Sequence, residues 1–348
     1  HLVDEISDTE SWLATNVTAG DAIFKARTAS DTTFVSRLLS LEIAEQPSLS
    51  DLPNLLRLRK MLKARGVDIV HGHGAKGGMY ARLVSRMIGA KSVYSAHGGS
   101  LHDVFSPFKR RLFLCVEWVL SFLTDGLVFE SSYTRERYFD LVRELPERAH
   151  LVPNGIRLPA VAVERPFGPC IQLAAFGMLR ELKGHDILIG AVAILRSKGL
   201  NVEAHVYGEG PFRQSLEKQI REAKLEGVVV LEGETASPVE VMSKADIVVQ
   251  PSRFESFGYT ALEAMALGKA VVASKVGGLR ELIDDGVDGV LVQRLEPEAF
   301  ATALERLIKN PDVALNLGRK ARTKAESYDS GRMAETISKI YRELLGER

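Results

Sequence analysis

The stretch Ala245 to Gly289, ADIVVQPSRFESFGYTALEAMALGKAVVASKVGGLRELIDDGVDG, limits what this chain can fold into more than any other. The apolar run Ile247 to Val249 has strand composition and is closed by Pro251 and Ser252. A loop carrying Glu255, Phe257 and Gly258 leads into a small-residue helix, Tyr259 to Leu267, stopped by Gly268. A second β-rich run, Val271 to Ala273, comes next, and Gly277 and Gly278 open a further helix. Strand, loop and helix repeated in this way is the pattern of a parallel α/β sheet, in which ligands bind outside the carboxyl ends of the strands.

The loop holds two carboxylates eight positions apart, Glu255 at the strand's exit and Glu263 in the second turn of the helix. A helix start presents N–H groups without intrahelical partners, so an anion such as a diphosphate can be held there. A carboxylate beside that anion would repel it, and is better used to accept hydrogen bonds from sugar or ribose hydroxyls. A second reading stays open, in which one Glu is a surface residue and the other complements the helix dipole.

A length of 348 residues is enough for two domains. Apolar residues make up 45% and charged residues 26%, the balance of an ordinary globular protein. The formal net charge is zero, so nothing favours nucleic acid as a partner. The two cysteines, Cys115 and Cys170, lie in or beside apolar runs and read as buried free thiols in a reducing, cytoplasmic setting. His1 to Glu10 has four acids and no apolar h-region, so no signal peptide is expected, and no run of apolar residues is long enough to span a bilayer.

Before Ser50 the pattern is weak: Leu2–Val3 reads as the tail of a strand, Asn16 to Gly20 as a turn, and Phe34 to Ile43 as short strand-like runs. Asn16-Val17-Thr18 matches a glycosylation acceptor by chance. Ser50 or Asp51 then caps a helix with apolar positions Leu52, Leu55, Leu56, Leu58, Met61 and Leu62. Val67 to His71 is a strand, Met79 to Ile88 a helix, and Lys91 to Ala96 a strand that ends in His97-Gly98-Gly99. Gly72, Gly74 and Gly77 spell G-x-G-x-x-G, but the next strand lacks the acid that would hold a dinucleotide ribose, so the glycines read as sites of close backbone approach. Of His71, His73, His97 and His102, only His97 sits where ligands gather; the others read as structural, and no metal-ligand spacing occurs. The helix Ser106 to Leu123 opens with Lys109, Arg110 and Arg111, and the segment Leu52 to Cys115 holds twelve Lys or Arg against two acids. Beside Phe105, Phe108, Phe113 and Trp118 this is either a solvated basic face or one that contacts anionic membrane lipid.

Three prolines around Leu158 to Gly168 mark a linker. The domain expectation is 1–157 for an N-terminal domain, 158–168 for the linker, 169–325 for a second domain and 326–348 for a C-terminal helix that packs back on the first. In the second half, strands Ile171 to Phe176, Val202 to Tyr207 and Val228 to Leu231 lead to Gly177…Lys183-Gly184, Gly208-Glu209-Gly210-Pro211 and Glu232-Gly233-Glu234-Thr235. Lys183, at the mouth of its strand, is placed to offset diphosphate charge.

Together these pieces resemble the nucleotide-sugar glycosyltransferases of family 4, with their GT-B architecture of two Rossmann-like domains facing each other across a cleft. The resemblance rests on the Glu255/Glu263 pair with Ser256-Phe257-Gly258 between them, Gly177…Lys183-Gly184, Gly208-Glu209-Gly210-Pro211, Val152-Pro153-Asn154-Gly155 and His97-Gly98. It implies that Glu263 holds the donor's ribose and that Glu255, with the backbone at Phe257 and Gly258, meets the donor sugar. Lys183 would bind the diphosphate and stabilise the leaving group, and His97 would contact the transferred sugar. Gly177, Arg180, Gly208, Ser256 and Glu234 complete the implied donor site. Met178 stands where the family usually has Arg, with Arg180 as its candidate substitute. The family's opening strand–loop–helix unit, with its glycine-rich loop, is not recognisable here.

The implied activity is a retaining, metal-independent glycosyltransferase of the hexosyl-transferring type that needs no cofactor. Its donor would be a UDP- or GDP-sugar and its acceptor a cell-envelope polysaccharide or a lipid-linked saccharide, at the cytoplasmic face of an anionic membrane. The alternatives are a nucleotide- or saccharide-binding protein of the same fold without transfer, and a hydrolase using the two glutamates.

Overall fold

The computed structural model of the chain describes residues 5–6, 9–20, 22–44, 48–97, 106–142, 149–160 and 166–347. The expected strand tail at Leu2–Val3, the residues Gly98, Gly99, His102, Asp103 and Phe105, and the middle of the proline-marked linker lie outside them. The described residues pack as two compact units. One takes those of His1–Gly20, Arg27–Gly155 and Ser330–Arg348, the other those of Asp21–Ala26 and Ile156–Asp329.

Up to Leu151 the elements are β1 (Leu13–Thr15), α1 (Ala22–Ser30), α2 (Thr32–Ser36), β2 (Leu38–Ser40), α3 (Asp51–Lys63), β3 (Ile69–His73), α4 (Gly74–Ile88), β4 (Lys91–Ser95), α5 (Pro107–Ser121), β5 (Gly126–Phe129), α6 (Ser132–Val142) and β6 (Ala149–Leu151). Strands β3-β4-β5-β6 form a parallel sheet in chain order, while β1 and β2 pair in parallel with each other. Val93 of β4 and Val128 of β5 pack on one face with Ala334, Ile337 and Ile340 of the last helix, α14 (Ser330–Leu345). Tyr94, Leu127 and Phe129 face the other way, against Tyr138 and Val142 of α6. This alternation is the period-two geometry of a strand buried on both faces.

Several local expectations change. The strand-like run from Phe34 begins as helix α2, because the Asp31 carboxylate caps it by accepting from the Phe34 N–H at 2.9 Å. Helix α4 starts at Gly74 rather than Met79, because its glycines allow close packing without breaking the helix. A Cβ on Gly78 would lie 2.3 Å from the Tyr94 ring, and one on Gly72 2.3 Å from the Gly77 carbonyl oxygen. Ser50 makes no side-chain cap to α3, and Leu52 and Leu56 on that helix are exposed, while Leu58 and Leu62 are buried. Cys115 is exposed and Cys170 intermediate, so neither is the buried thiol its apolar neighbours suggested; for Cys115 the reason is that α5 turns that side outward.

Where α4, α5 and α6 meet, a charged pair is enclosed. The Arg82 guanidinium is fully buried and donates to both Glu117 carboxylate oxygens, at 2.6 and 3.2 Å. It also donates to the Gly78 carbonyl at 2.9 Å and lies over the Tyr94 ring, while the Tyr138 hydroxyl donates to Glu117 at 3.2 Å. Charges taken out of water are tolerated only when paired and hydrogen-bonded in this way.

The second unit holds β7 (Ile171–Phe176), α7 (His185–Ser197), β8 (Val202–Tyr207), α8 (Arg213–Glu222), β9 (Val229–Gly233), α9 (Pro238–Ser243), β10 (Ile247–Gln250), α10 (Tyr259–Ala266), β11 (Ala270–Ser274), α11 (Leu279–Leu282), β12 (Val290–Val292), α12 (Pro297–Ile308) and α13 (Pro311–Ala325). Its six strands are parallel in the order β12-β11-β10-β7-β8-β9. Ile247 and Val249 join the core on one face with Leu173, Val272 and Phe300; Val248 joins the other with Ala174, Val271 and Met265. Burial on both faces explains why the strand sequences are unbroken apolar runs.

Leaving either partner of the Arg82–Glu117 pair alone exposes an uncompensated buried charge. Arg82→Met is expected to destabilise the first unit by about 3–5 kcal/mol, and adding Glu117→Leu to recover most of that. Urea unfolding of wild type, both single variants and the double variant checks it; additive losses would show that the pair is not coupled.

Candidate active site

The second unit's sheet reverses its direction of growth between β7 and β10, which are hydrogen-bonded neighbours at Ile247 with Leu173 and Val248 with Ala174. From that point β8 and β9 extend one way and β11 and β12 the other. The loops leaving the carboxyl ends of β7 and β10 must therefore diverge and leave a crevice, the place where open α/β sheets bind ligands.

Both loops carry a residue singled out from the sequence. Lys183, in a turn of 3₁₀ helix (Glu181–Lys183) after β7, places Nζ 2.8 Å from the Glu255 Oε2 in the loop after β10. The same Glu255 oxygen accepts from Gln250 Nε2 at 2.8 Å and from the Ser252 hydroxyl at 3.4 Å. Gln250 is the last residue of β10, so its side chain reaches from the strand end into the loop.

The two loops are clipped together beside this pair. Arg253 donates to both Asp186 oxygens at 2.8 and 2.6 Å and to the Glu181 carbonyl at 2.7 Å, and its N–H donates to the Leu182 carbonyl at 2.8 Å. Gly184 sits at φ +68, where a Cβ would lie 1.9 Å from the Pro251 carbonyl oxygen, so only glycine fits. His185, the first residue of α7, is enclosed, and burial pushes its imidazole down to about 4.

The remaining expected residues gather unevenly. A Cβ on Gly177 would meet the Lys183 methylenes at 3.6 Å, and the carbonyl oxygen of Gly177 would be 2.1 Å from a Cβ on Gly208. Ser256 and the buried Phe257 run into Gly258, the left-handed residue ahead of α10. A Cβ on Gly278 would meet the Ser256 carbonyl oxygen at 2.3 Å, so the loop after β11 presses on this one. Arg180 is exposed and precedes the 3₁₀ turn, with the exposed Met178 two residues before it. Glu234 is exposed beyond β9, the edge strand, three strands from β10. Glu263 lies in the second turn of α10, and burial raises its carboxyl to about 7.

In the first unit a row of imidazoles joins His97, the one expected at the site, to His71 and His73, which the sequence alone leaves as structural. His71 and His73 are stacked with ring centroids 4.3 Å apart, and His73 and His97 at 5.2 Å. His73 Nδ1 and His97 Nε2 pair at 2.9 Å, and His97 Nδ1 pairs closely with the buried Glu130, which also accepts from the Asn154 amide at 2.9 Å. His71 pairs with the Tyr341 hydroxyl of α14 at 2.6 Å and the Ser95 hydroxyl at 2.9 Å; burial, then His73 and His97, hold it well below the ordinary imidazole range. The signal was the spacing, since residues i and i+2 of a strand share a face. His97 itself has φ 43, uncommon for a residue with a side chain. Among the described residues no group of three or more His, Cys, Asp or Glu side chains could hold a metal ion.

Two family models cover most of the chain: "Glycosyl transferases group 1" matches residues 171–324, and "Glycosyltransferase Family 4" matches residues 31–158. The chain is a family 4 glycosyltransferase. Relatives of this glycosyltransferase include the uncharacterized glycosyltransferase MJ1178 of Methanocaldococcus jannaschii, 26% identical over 299 residues, which are 85% of this chain and 81% of that protein. The D-inositol 3-phosphate glycosyltransferase of Saccharomonospora viridis is 29% identical over 333 residues, 88% of this chain and 77% of that one. In fold, Anabaena HepE in complex with UDP and glucose superposes with a TM-score of 0.78 at 22% identity, covering 91% of this chain and 88% of that one. The two Rossmann-like α/β units are those of the GT-B architecture.

Two outcomes test this geometry. Gly184→Ala is expected to lower stability by at least about 2 kcal/mol through its left-handed backbone and the clash with Pro251, read by thermal unfolding. Glu263 has a folded pKa of about 7 against 4.5 as a free carboxyl, so the folded state binds the extra proton and stability falls as pH rises through that window. Glu263→Gln removes that titration, so its stability relative to wild type should rise by up to about 3 kcal/mol between pH 5 and pH 8. Parallel unfolding curves for the two proteins across that range would overturn it.

Proposed function

We propose that this glycosyltransferase moves a sugar from a nucleoside diphosphate donor, a UDP- or GDP-sugar, to a hydroxyl of a cell-envelope polysaccharide or glycolipid, with retention at the anomeric carbon. The observation that carries the reading is the Lys183–Glu255 pair at the reversal point of the second sheet, where one cationic and one anionic side chain meet. A nucleoside diphosphate sugar offers both partners: phosphate oxygens for the ammonium, and hydroxyls for the carboxylate. Solved complexes of HepE with UDP and with UDP-glucose support the same donor class.

In this mechanism the bond from the anomeric carbon to the diphosphate oxygen breaks, and its electron pair stays on the phosphate. Lys183 stabilises that developing charge, which is worth most in the transition state. Glu255, with the backbone at Phe257 and Gly258, holds the donor sugar, and Glu263 accepts from the ribose hydroxyls. Gly177, Gly208 and Ser256 let the backbone approach the donor, while Arg180 adds charge where Met178 supplies none, and Glu234 contacts the nucleotide from the edge. The acceptor oxygen bonds to the face of the anomeric carbon that the phosphate leaves, and its proton passes to that phosphate. His97, held by Glu130, contacts the transferred sugar. Neither a metal nor a cofactor takes part in this scheme. A lipid-linked acceptor would bring the protein to the cytoplasmic surface of a membrane.

Unfolding in the presence of UDP, GDP, ADP or dTDP identifies the nucleotide: at about a hundred times Kd the matching one should raise the midpoint by roughly 4–7 °C. With the corresponding sugar donors, Lys183→Ala and Glu255→Ala are each expected to slow nucleotide release by about a hundredfold or more. No midpoint shift with any nucleotide, together with a Glu255→Ala protein as fast as wild type, would overturn the reading.

A further inference from the structure

Helix α5 is amphipathic in the wrong sense for a helix on a globular surface. Its outward side chains include Phe108, Leu112, Val116 and Val119, with Phe122 one residue past its end; Phe108 is 80% and Phe122 61% exposed. At about 100° per residue these five fall within a stripe roughly 120° wide along the whole helix. The exposed Lys109 borders one side of the stripe, and the exposed Arg111 and Trp118 border the other.

Negative charge is missing from that face. Glu117 is the one acidic residue between Ser106 and Leu123, and it points to the opposite side, buried and neutralised by Arg82. A stripe of large apolar side chains in water is costly unless something covers it. A protein partner would need only the apolar stripe. A bilayer with anionic headgroups uses both parts, the apolar side chains at the level of the acyl boundary and the basic borders at the phosphates.

We propose that α5 is a membrane-docking helix that lies in the plane of an anionic lipid surface, with Phe108, Leu112, Val116, Val119 and Phe122 inserted and Lys109 and Arg111 on lipid phosphates. At fifteen residues it is about 22 Å long, too short to span a bilayer but suited to lying flat. No helix among the described residues is long and apolar enough to cross a membrane. The surface deepens the reading of a lipid-linked acceptor, and its test consumes no sugar donor, so each can fail without the other.

The experiment is flotation of the full chain with vesicles of phosphatidylcholine alone, or with about a third phosphatidylglycerol. Wild type should float with the anionic vesicles, far less with the neutral ones, and less in high salt. Leu112→Ser with Val119→Ser, and separately Lys109→Ser with Arg111→Ser, should each weaken partition by about tenfold or more. All four positions are exposed, so thermal midpoints and nucleotide binding should stay at wild-type values. Absence of wild-type flotation with anionic vesicles would overturn the proposal, as would flotation of both variants at wild-type levels. A concentration-dependent dimer that the Leu112/Val119 variant dissolves, with vesicles ignored, would assign the stripe to a second copy and also overturn it.

Discussion

The second unit depends on the parallel pairing of β7 with β10. Strands distant in sequence become central neighbours, and the sheet grows outward from them in both directions. Because the chain leaves these two strands at the same edge and departs to opposite sides, the loops that follow them stand at the point where open α/β sheets bind ligands. Lys183 and Glu255 face each other there, 72 positions apart in the chain and 2.8 Å apart in space. The clip from Arg253 to Asp186 and the close approach of Gly184 to Pro251 hold those loops, so the pair is set in place before any ligand arrives.

The first unit solves a different problem, the burial of charge. Its helices α4 and α5 could not pack with Arg82 and Glu117 inside unless each satisfied the other, and Tyr94 and Tyr138 complete the enclosure. That arrangement has a consequence on the outer side of α5: its only acid is used inward, and the face left to solvent is apolar with basic borders. The same unit takes its last helix from the far end of the chain. Ala334, Ile337 and Ile340 cover Val93 and Val128, while Tyr341 reaches His71.

Most of the second unit's strands and helices were legible because their signals are local. Runs such as Ile247 to Val249, closed by Pro251, and helix stops such as Gly268, follow from hydrophobic period and backbone freedom within a few residues. Where neighbours decide, local reading failed. The helix expected from Met79 begins already at Gly74, because Tyr94 and the Gly72–Gly77 contact need the missing Cβ atoms and glycines alone give no helical period to read. Cys115, inside an apolar run, is exposed because its helix turns that side outward. At the site, Glu255 and Lys183 were visible as residue types at strand exits, and Glu263 in the helix that follows Glu255. Gln250, Ser252 and Arg253 were not, since a polar residue at a strand end has no sequence signal that says what it faces.

The sequence by itself determined the α/β alternation, the positions of the strand-end loops and the family, because each is written in residue patterns that need no knowledge of distant contacts. Only the tertiary structure decided which loops meet. Strand order brings Lys183 to Glu255, the return of α14 sets Tyr341 beside His71, and Arg82 draws Glu117 inward. Each is a pairing across many residues of chain, made by the cost of leaving charge and polar groups unpaired once the apolar surfaces have closed.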